Sequence, residues 1–306
     1  MSKTYVISGA TGMIGRAVIA ALLARGDRVI ALVRPHSSRA AGLPAHERLT
    51  LLSCDLSDYR DHVPTERADV FLHLAWAATT GQGREDTALQ LQNVQYTLDA
   101  VQLAHRFGCE AFVGAGSQAE YGPATAPLAA TSPTDPQSGY GVGKYAAGKL
   151  SRILCHQLGM RHCWARILSI YGEGDGAGTL IMYLIRALLA GETPALTPCE
   201  QIWDYLYVED AARALIAIVD RGHDGAVYPV GSGKGRPLYE YVTALRDIVA
   251  PQAALAIGAR PYYPHQPMLL VADITELTAH TGFLPRVPFE EGIGRVLRSI
   301  TESEAN

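Results

Sequence analysis

The amino-acid sequence predicts an α/β fold of the doubly wound, Rossmann type: a parallel sheet with helices on both faces and a smaller C-terminal lobe. Three observations carry this. Short apolar runs alternate with helical patterns through the first half of the chain. A glycine motif, Gly9-Ala-Thr11-Gly12-Met13-Ile14-Gly15, joins the first apolar run to an amphipathic helix. The strict alternation then fades after about Gly172, where helical patterns are separated by Gly/Pro-rich connections.

The elements follow in order. Tyr5-Val6-Ile7-Ser8 reads as a buried parallel strand, and Val18, Leu22 and Leu23 give the next segment an apolar helical face. Further strands are expected at 28–33, 49–53, 70–74, 111–115 and 162–169. Long helices are expected at 87–107 and about 141–158, the second entered by an ordered Pro/Ala/Thr-rich surface loop at 123–138. Beyond Gly172, helices are expected at 183–189, 208–219, 239–248 and 288–300. Residues 1–172 therefore read as the dinucleotide-binding domain, with later segments returning to the sheet, and 173–306 as mainly the second lobe.

The glycine motif has a physical basis. Gly9 permits a tight turn, Gly12 lets backbone approach a pyrophosphate, and Gly15 lets the helix pack closely on the sheet. Unpaired N–H groups and the helix dipole favour a diphosphate there. In folds of this kind that bind NAD, an acidic residue ~20 positions after the glycines holds the ribose 2′-hydroxyl. Here that place is Arg34, followed by Ser37 and Ser38. A guanidinium pairs well with a 2′-phosphate, so NADP(H) is favoured, with NAD(H) as the alternative. Asp55 and Leu56 follow the third strand, which puts Asp55 near the adenine amino group; a lone Asp at a strand end is otherwise an ordinary helix cap.

A second motif supplies chemistry. Tyr140 and Lys144 are four apart and share a helix face. A free phenol has a pKa near ~10, and an adjacent cation favours its phenolate, bringing proton exchange toward neutral pH. Lys144 is also suited to bond the nicotinamide ribose. Ser117, just past an apolar strand, is placed to hydrogen-bond a substrate oxygen. Ser117, Tyr140 and Lys144 are the expected catalytic set.

Composition narrows the class. The 306 residues are 48% hydrophobic, enough for a large core, and no apolar run approaches the ~20 residues of a membrane span. A net charge of −4 without a basic cluster argues against nucleic-acid binding. The chain enters a strand almost at once, leaving no room for a signal peptide in these residues. Five scattered cysteines without C-x-x-C read as reduced, cytoplasmic and mostly buried. Ten histidines show no metal-ligand spacing, His73 in an apolar strand reads as structural, and no metal is expected.

Taken together these motifs resemble the extended short-chain dehydrogenase/reductase family, in its sugar-nucleotide epimerase/dehydratase/reductase branch. The resemblance spans nearly the whole chain. It includes His73-Leu74-Ala75, Asn93, Ser117 four residues before Tyr121-Gly122, and Arg166-Ile-Leu-Ser169-Ile-Tyr171-Gly172. It continues through Gln201-Ile-Trp203-Asp204-Tyr205-Leu-Tyr207-Val208-Glu-Asp210 and Gly282-Phe-Leu-Pro285. It implies Ser–Tyr–Lys catalysis and Leu74 and Ala75 at the cofactor. It also implies a C-terminal lobe binding a nucleoside-diphosphate sugar and a homodimer through the two long helices.

Departures from the family pattern narrow the reaction. The related dTDP-glucose 4,6-dehydratases carry an Asp–Glu pair after the Ser/Thr position, because elimination of water needs an acid and a base. Here those positions are Gln118 and Ala119, which serve as neither. GDP-fucose synthases carry a cysteine where Ala119 stands. Trp203 replaces a common Arg, Ser169 a common Asn, and Gln266 a common Asp. Arg260 is the remaining candidate diphosphate ligand, with Arg166 more suited to a structural role. Trp76 replaces a small residue and begins the loop that includes Thr79; it either walls the sugar pocket or packs in the core. Tyr171, Tyr205 and Tyr207 read as core or pocket rim. Three functions follow: an NADPH-dependent reductase of a nucleotide-linked 4-keto-(6-deoxy) sugar, a nucleotide-sugar 4-epimerase, or a catalytically silent NADP-sensing protein.

Overall fold

Seven parallel strands form the central sheet, each a short run rich in apolar residues and all but the edge strand at 49–53 largely buried. The structure, a computed structural model, describes residues 2–263 and 266–304. In chain order the first strands are β1 (Thr4–Ser8), β2 (Arg28–Val33), β3 (Leu49–Ser53), β4 (Val70–His73), β5 (Ala111–Ser117) and β6 (Arg161–Ile167). After the short β7 (Ser169–Tyr171), β8 (Ile202–Trp203) and β9 (Tyr205–Tyr207), the chain returns to the sheet as β10 (Val227–Val230). The spatial order is β10-β6-β5-β4-β1-β2-β3, the doubly wound arrangement. Two corrections bear on the expected central sheet, and the short strands β8 and β9 were not expected either. The expected 162–169 strand divides into β6 and β7, and β10 has no counterpart in the expected set.

Alternation along β1 sends side chains to two cores. Tyr5 and Ile7 pack on one face with α1 (Met13–Ala24) and α5 (Val208–Arg221), through residues such as Val18, Leu22, Leu215 and Ile218. Val6 faces the other way, toward α2 (Thr87–Phe107) and α3 (Gly139–Gln157), where Val101, Phe107 and Cys155 bury. Burying both faces of the strands is what permits such continuous apolar runs.

A separate core forms from later elements. Helices α4 (Leu180–Leu189), α6 (Leu238–Val249) and α8 (Phe289–Glu304) enclose Tyr171, Tyr207, Tyr241 and Phe289. Tyr171 and Tyr207 are core residues, while Tyr205 is only half-buried beside them. β7 pairs with β9, and β8 lies between β11 (Arg236–Pro237) and β12 (Leu269–Leu270). The short helix α7 (Thr275–Thr281) packs against α5.

Two acidic residues of the 201–210 motif are clasps. Asp204 is fully buried and accepts the amides of Ser232, Gly233 and Ala272, so its four-strand neighbourhood is tied together by one carboxylate. Asp210 accepts the amides of Arg286 and Val287 and pairs with Arg213. Buried charge of this kind persists only where every lone pair is used. No described helix is long and apolar enough to cross a membrane. The five cysteines are free and buried.

Candidate active site

The glycine motif opens a cleft of about 530 Å³ at the C-terminal ends of β1, β2, β3 and β4. Gly9 adopts φ of 70°, and a Cβ there would lie 2.8 Å from the Ala75 amide nitrogen. A Cβ on Gly15 would lie 2.3 Å from the Gly9 carbonyl oxygen, so this helix sits on the turn only as glycine. Gly12 caps α1 without a side-chain bond, and no acidic residue occupies the first turn. The helix N-terminus thus faces the cleft with its N–H groups available, the donor set a diphosphate fits.

Of the cofactor residues expected from the sequence, Gly9, Thr11, Gly12, Arg34, Asp55, Leu56, Leu74 and Ala75 line this cleft. Met13 and Ile14 do not: their side chains pack toward the C-terminal core, leaving only their backbone at the helix start. Arg39 joins Arg34 in the wall, whereas Ser37 and Ser38 lie outside it. Asp55 is both things the sequence allowed. It lines the cleft, and it caps the turn at 56–58 by accepting the Leu56 amide at 2.8 Å.

Ser117 ends β5, while Tyr140 and Lys144 lie in the first turns of α3, capped by Ser138. All three are buried. Burial pushes the Tyr140 phenol above its ordinary value; the nearby Ser117 hydroxyl and the Arg84 cation act against that rise. Lys144 meets three neighbours. Its Nζ donates to the Ala115 carbonyl oxygen at 2.7 Å and lies 3.9 Å from the Trp76 ring centroid, but 5.8 Å from that of Tyr140. A carbonyl and an indole face together solvate the ammonium. Burial lowers its pKa to about 7. Arg84 Cζ lies 4.1 Å from the Tyr140 ring centroid.

Trp76 stands between the cleft and these residues. Its indole lines the cleft, meets Tyr140 edge-on with centroids 6.1 Å apart, and packs against the Val94–Ala147–Trp164 cluster. Trp76 Nε1 donates to Gln90 Oε1 at 2.8 Å, and Gln90 Nε2 reaches the Gly83 carbonyl at 2.7 Å. Asn93 holds Ala77 through both amide and carbonyl, at 2.9 Å each. The loop after β4 is therefore strapped to α2.

Behind Ser117 lies a buried acid that sequence reasoning missed. Glu120 Oε1 accepts the Ser117 amide at 2.8 Å and Trp164 Nε1 at 2.9 Å; Oε2 accepts Arg166 Nε at 2.8 Å. The structural reading of Arg166 fits this pair. A signal was available: an arginine inside an apolar strand needs a buried partner. Arg84 and Gln90 gave no comparable signal, because loop and helix-surface polar residues are common.

The expected substrate residues divide. Trp203 Nε1 donates to Ser169 Oγ at 2.9 Å, so those two meet. Gln118 is half-buried directly after Ser117, and Thr79 lines the cleft and accepts Arg84 Nη1 at 3.1 Å through its carbonyl. Arg260 is exposed, its amide bonded to the Leu196 carbonyl and its guanidinium 5.8 Å from the Tyr183 centroid. His73 is buried, with Nδ1 2.8 Å from Ser8 Oγ, and burial lowers its pKa to about 3. Among the described residues, no group of three or more His, Cys, Asp or Glu could hold a metal ion.

Comparison with known proteins agrees with this geometry. The family described as NAD dependent epimerase/dehydratase matches residues 5–231. UDP-glucose 4-epimerase 4 of Oryza sativa subsp. japonica is 27% identical over 299 residues, covering 85% of this chain and 80% of that protein. The dTDP-4-dehydro-6-deoxyglucose reductase of Escherichia coli is 23% identical, covering 96% of each chain. The fold is shared with a UDP-N-acetylglucosamine 4-epimerase from Methanobrevibacter ruminantium M1, with a TM-score of 0.89 at 22% identity over 99% of both chains.

Proposed function

The chain belongs to the NAD dependent epimerase/dehydratase family, and from that premise we propose an NADPH-dependent reductase of a nucleoside-diphosphate 4-keto-(6-deoxy) sugar. Gly9, Gly12 and the start of α1 would hold the cofactor diphosphate, and Arg34 with Arg39 the 2′-phosphate. When bound, the reduced nicotinamide supplies the hydride for C4. Tyr140 gives its phenolic proton to the C4 oxygen, and the Ser117 hydroxyl orients that oxygen. Lys144 serves the nicotinamide ribose. Trp76, Thr79, Gln118, Ser169, Trp203 and Arg260 are proposed to serve the nucleotide sugar, mainly with the 173–306 lobe. The free, buried cysteines support a reducing, cytoplasmic setting.

The observation that carries the reductive reading is Arg34 with Arg39 in the cleft wall, which suits an exchangeable NADPH; the residues behind Ser117 set dehydration aside. Gln118 and Ala119 offer no acid–base pair for C5 chemistry, and the nearby Glu120 carboxylate is consumed by Ser117, Trp164 and Arg166. Simple carbonyl reduction needs neither. The second reading, a 4-epimerase, is supported by the rice relative. Purified protein with a nucleotide-linked 4-keto-6-deoxy sugar should consume NADPH stoichiometrically, and Tyr140→Phe should lose on the order of 10²–10⁴-fold in rate. Interconversion of two nucleotide sugars without added cofactor would establish the epimerase instead.

A homodimer through α2 and α3 is part of this proposal. Leu91 and Val142 are 71% and 52% exposed on the outer faces of these helices and border one groove. Sedimentation should give a dimer that Leu91→Glu dissociates; a monomeric unmodified protein would refute it.

A further inference from the structure

We propose that the turns 231–236 and 285–290 form a second ligand site, outside the cofactor cleft, that binds a small phosphate monoester. Such a site is independent of the reductase reading.

A cavity of about 260 Å³ lies where the turn between β10 and β11 meets the turn between α7 and α8. Three cations line it: Lys234 and Arg236 from the first turn, Arg286 from the second. Glu290 is the carboxylate in the wall, and it is spent on Arg236 Nη1 at 2.9 Å. Among the described residues, the side chains of Lys234 and Arg286 meet no carboxylate. Three cations against one acid leave two positive charges over, and a cleft lined by one sign of charge concentrates ligands of the other.

Both turns are pinned by buried carboxylates. Asp204 accepts the amides of Ser232 at 2.8 Å and Gly233 at 3.0 Å, immediately before Lys234. Asp210 accepts the amides of Arg286 at 2.7 Å and Val287 at 2.9 Å. The Tyr241 hydroxyl adds a tie to the Lys234 carbonyl at 3.3 Å. Tyr241 and Phe289 are buried beneath Arg236, whose Cζ lies 4.2 and 5.6 Å from their ring centroids. A guanidinium carries five N–H donors, so Arg236 keeps some for a ligand after meeting Glu290. With both backbones fixed beforehand, binding has little loop to order.

The chemistry selects the ligand. A phosphate monoester carries about −1.5 to −2 charge at neutral pH and three acceptor oxygens, which answer the two surplus cations and the guanidinium forks. A carboxylate offers one charge and two oxygens. Sites for drug-sized ligands span roughly 300–1,000 Å³. This cavity is smaller, so a dinucleotide or a whole nucleotide sugar is too large for it. No residue that lines the cofactor cleft lines it either. A hexose phosphate and a nucleoside monophosphate share the phosphoryl group that the cations read. Tyr205, in the wall, pairs in register with Ser169, which puts the occupant one strand from a residue proposed for the nucleotide sugar.

The test is calorimetric titration of the full chain in excess NADPH, which fills the cofactor cleft. The ligands are glucose 1-phosphate, adenosine monophosphate, inorganic phosphate, glucose and adenosine. At least one ester should bind, and glucose and adenosine should not; whichever ester binds more tightly identifies the organic part. Lys234→Gln with Arg286→Gln should weaken that ester by about tenfold or more and leave NADPH affinity unchanged. Both side chains are exposed, and thermal melts confirm folding. Should the double variant not fold, each single variant should still lose several-fold. Absence of ester binding overturns the site, as does an affinity that survives in the folded variants, because the ester then binds elsewhere. Inorganic phosphate binding as tightly as either ester overturns the monoester in favour of the free ion.

Discussion

Glu120 holds Ser117 from behind: its Oε1 accepts the Ser117 amide at 2.8 Å while the Ser117 hydroxyl accepts the Ala119 amide at 3.2 Å. This reciprocal box fixes the backbone of the residue whose hydroxyl meets Tyr140. The same carboxylate accepts Trp164 Nε1, and the Trp164 indole fills space that glycines leave open. A Cβ on Gly114 would lie 2.2 Å from Trp164 Cζ3, and one on Gly148 would lie 2.7 Å from Cε2. The run Val113-Gly-Ala-Gly-Ser117 is thus shaped to admit a tryptophan that, with Arg166, satisfies a buried acid.

Removing that acid should therefore be costly in stability. Glu120→Ala leaves Arg166 buried without its counter-charge, a loss of about 3–5 kcal/mol. Glu120→Gln preserves shape but leaves the same uncompensated guanidinium, so it should also destabilise. Glu120→Gln combined with Arg166→Met should recover part of the loss. Urea denaturation checks all three, and a cost below about 1 kcal/mol for Glu120→Ala would show that water replaces the pair.

The contrast between Glu120 and the strands around it explains what was legible beforehand. The 28–33 and 49–53 strands and the 87–107 helix were read with the bounds they adopt, because apolar periodicity and flanking turn residues mark them. β10 was missed because it has four residues with Pro229 inside. A proline is tolerated there since β10 is an edge strand, which only tertiary structure reveals. α7 is too short for its period to register. The glycine motif and the Ser117, Tyr140, Lys144 triplet carry local signals. The Glu120–Arg166 pair spans 46 residues and Trp76–Gln90 spans 14, so neither has one. Likewise the contact of the Lys144 ammonium with Trp76 joins different elements and has no local signal.

Lys144 gives the fold a distinctive pH dependence without cofactor. Its folded pKa of about 7 lies below the ordinary 10.5 of the unfolded chain. Between those values the unfolded chain binds a proton that the folded protein does not, so this group's contribution rises with pH across the window. It is lost as pH falls from about 10.5 to about 7, and below that the full penalty is present. Relative to Lys144→Met, the unmodified protein should gain on the order of a few kcal/mol between neutral and strongly alkaline pH. Parallel denaturation curves at each pH measure that difference. A difference independent of pH would mean that the ammonium stays charged in the folded state.

Cofactor choice turns on the two guanidiniums at the far end of the cleft. Arg34 and Arg39 line the wall past β2, where an acidic residue would otherwise meet a ribose 2′-hydroxyl. Both side chains are exposed, so a bound 2′-phosphate would meet them partly in water, and screening limits the gain. A charge-assisted hydrogen bond still contributes ~1.5–3 kcal/mol, on the order of tenfold to a hundredfold in affinity. NADPH should accordingly bind more tightly than NADH by that factor, and more so at low salt. Arg34→Asp should reverse the order, because a carboxylate repels the phosphate and accepts the hydroxyl. Arg39→Ala should weaken NADPH while leaving NADH unchanged, since only the phosphate distinguishes them. Isothermal titration of both cofactors into the three proteins decides the matter. Equal affinities in the unmodified chain would remove the argument for NADPH, and with it the main support for a cofactor exchanged on every turnover.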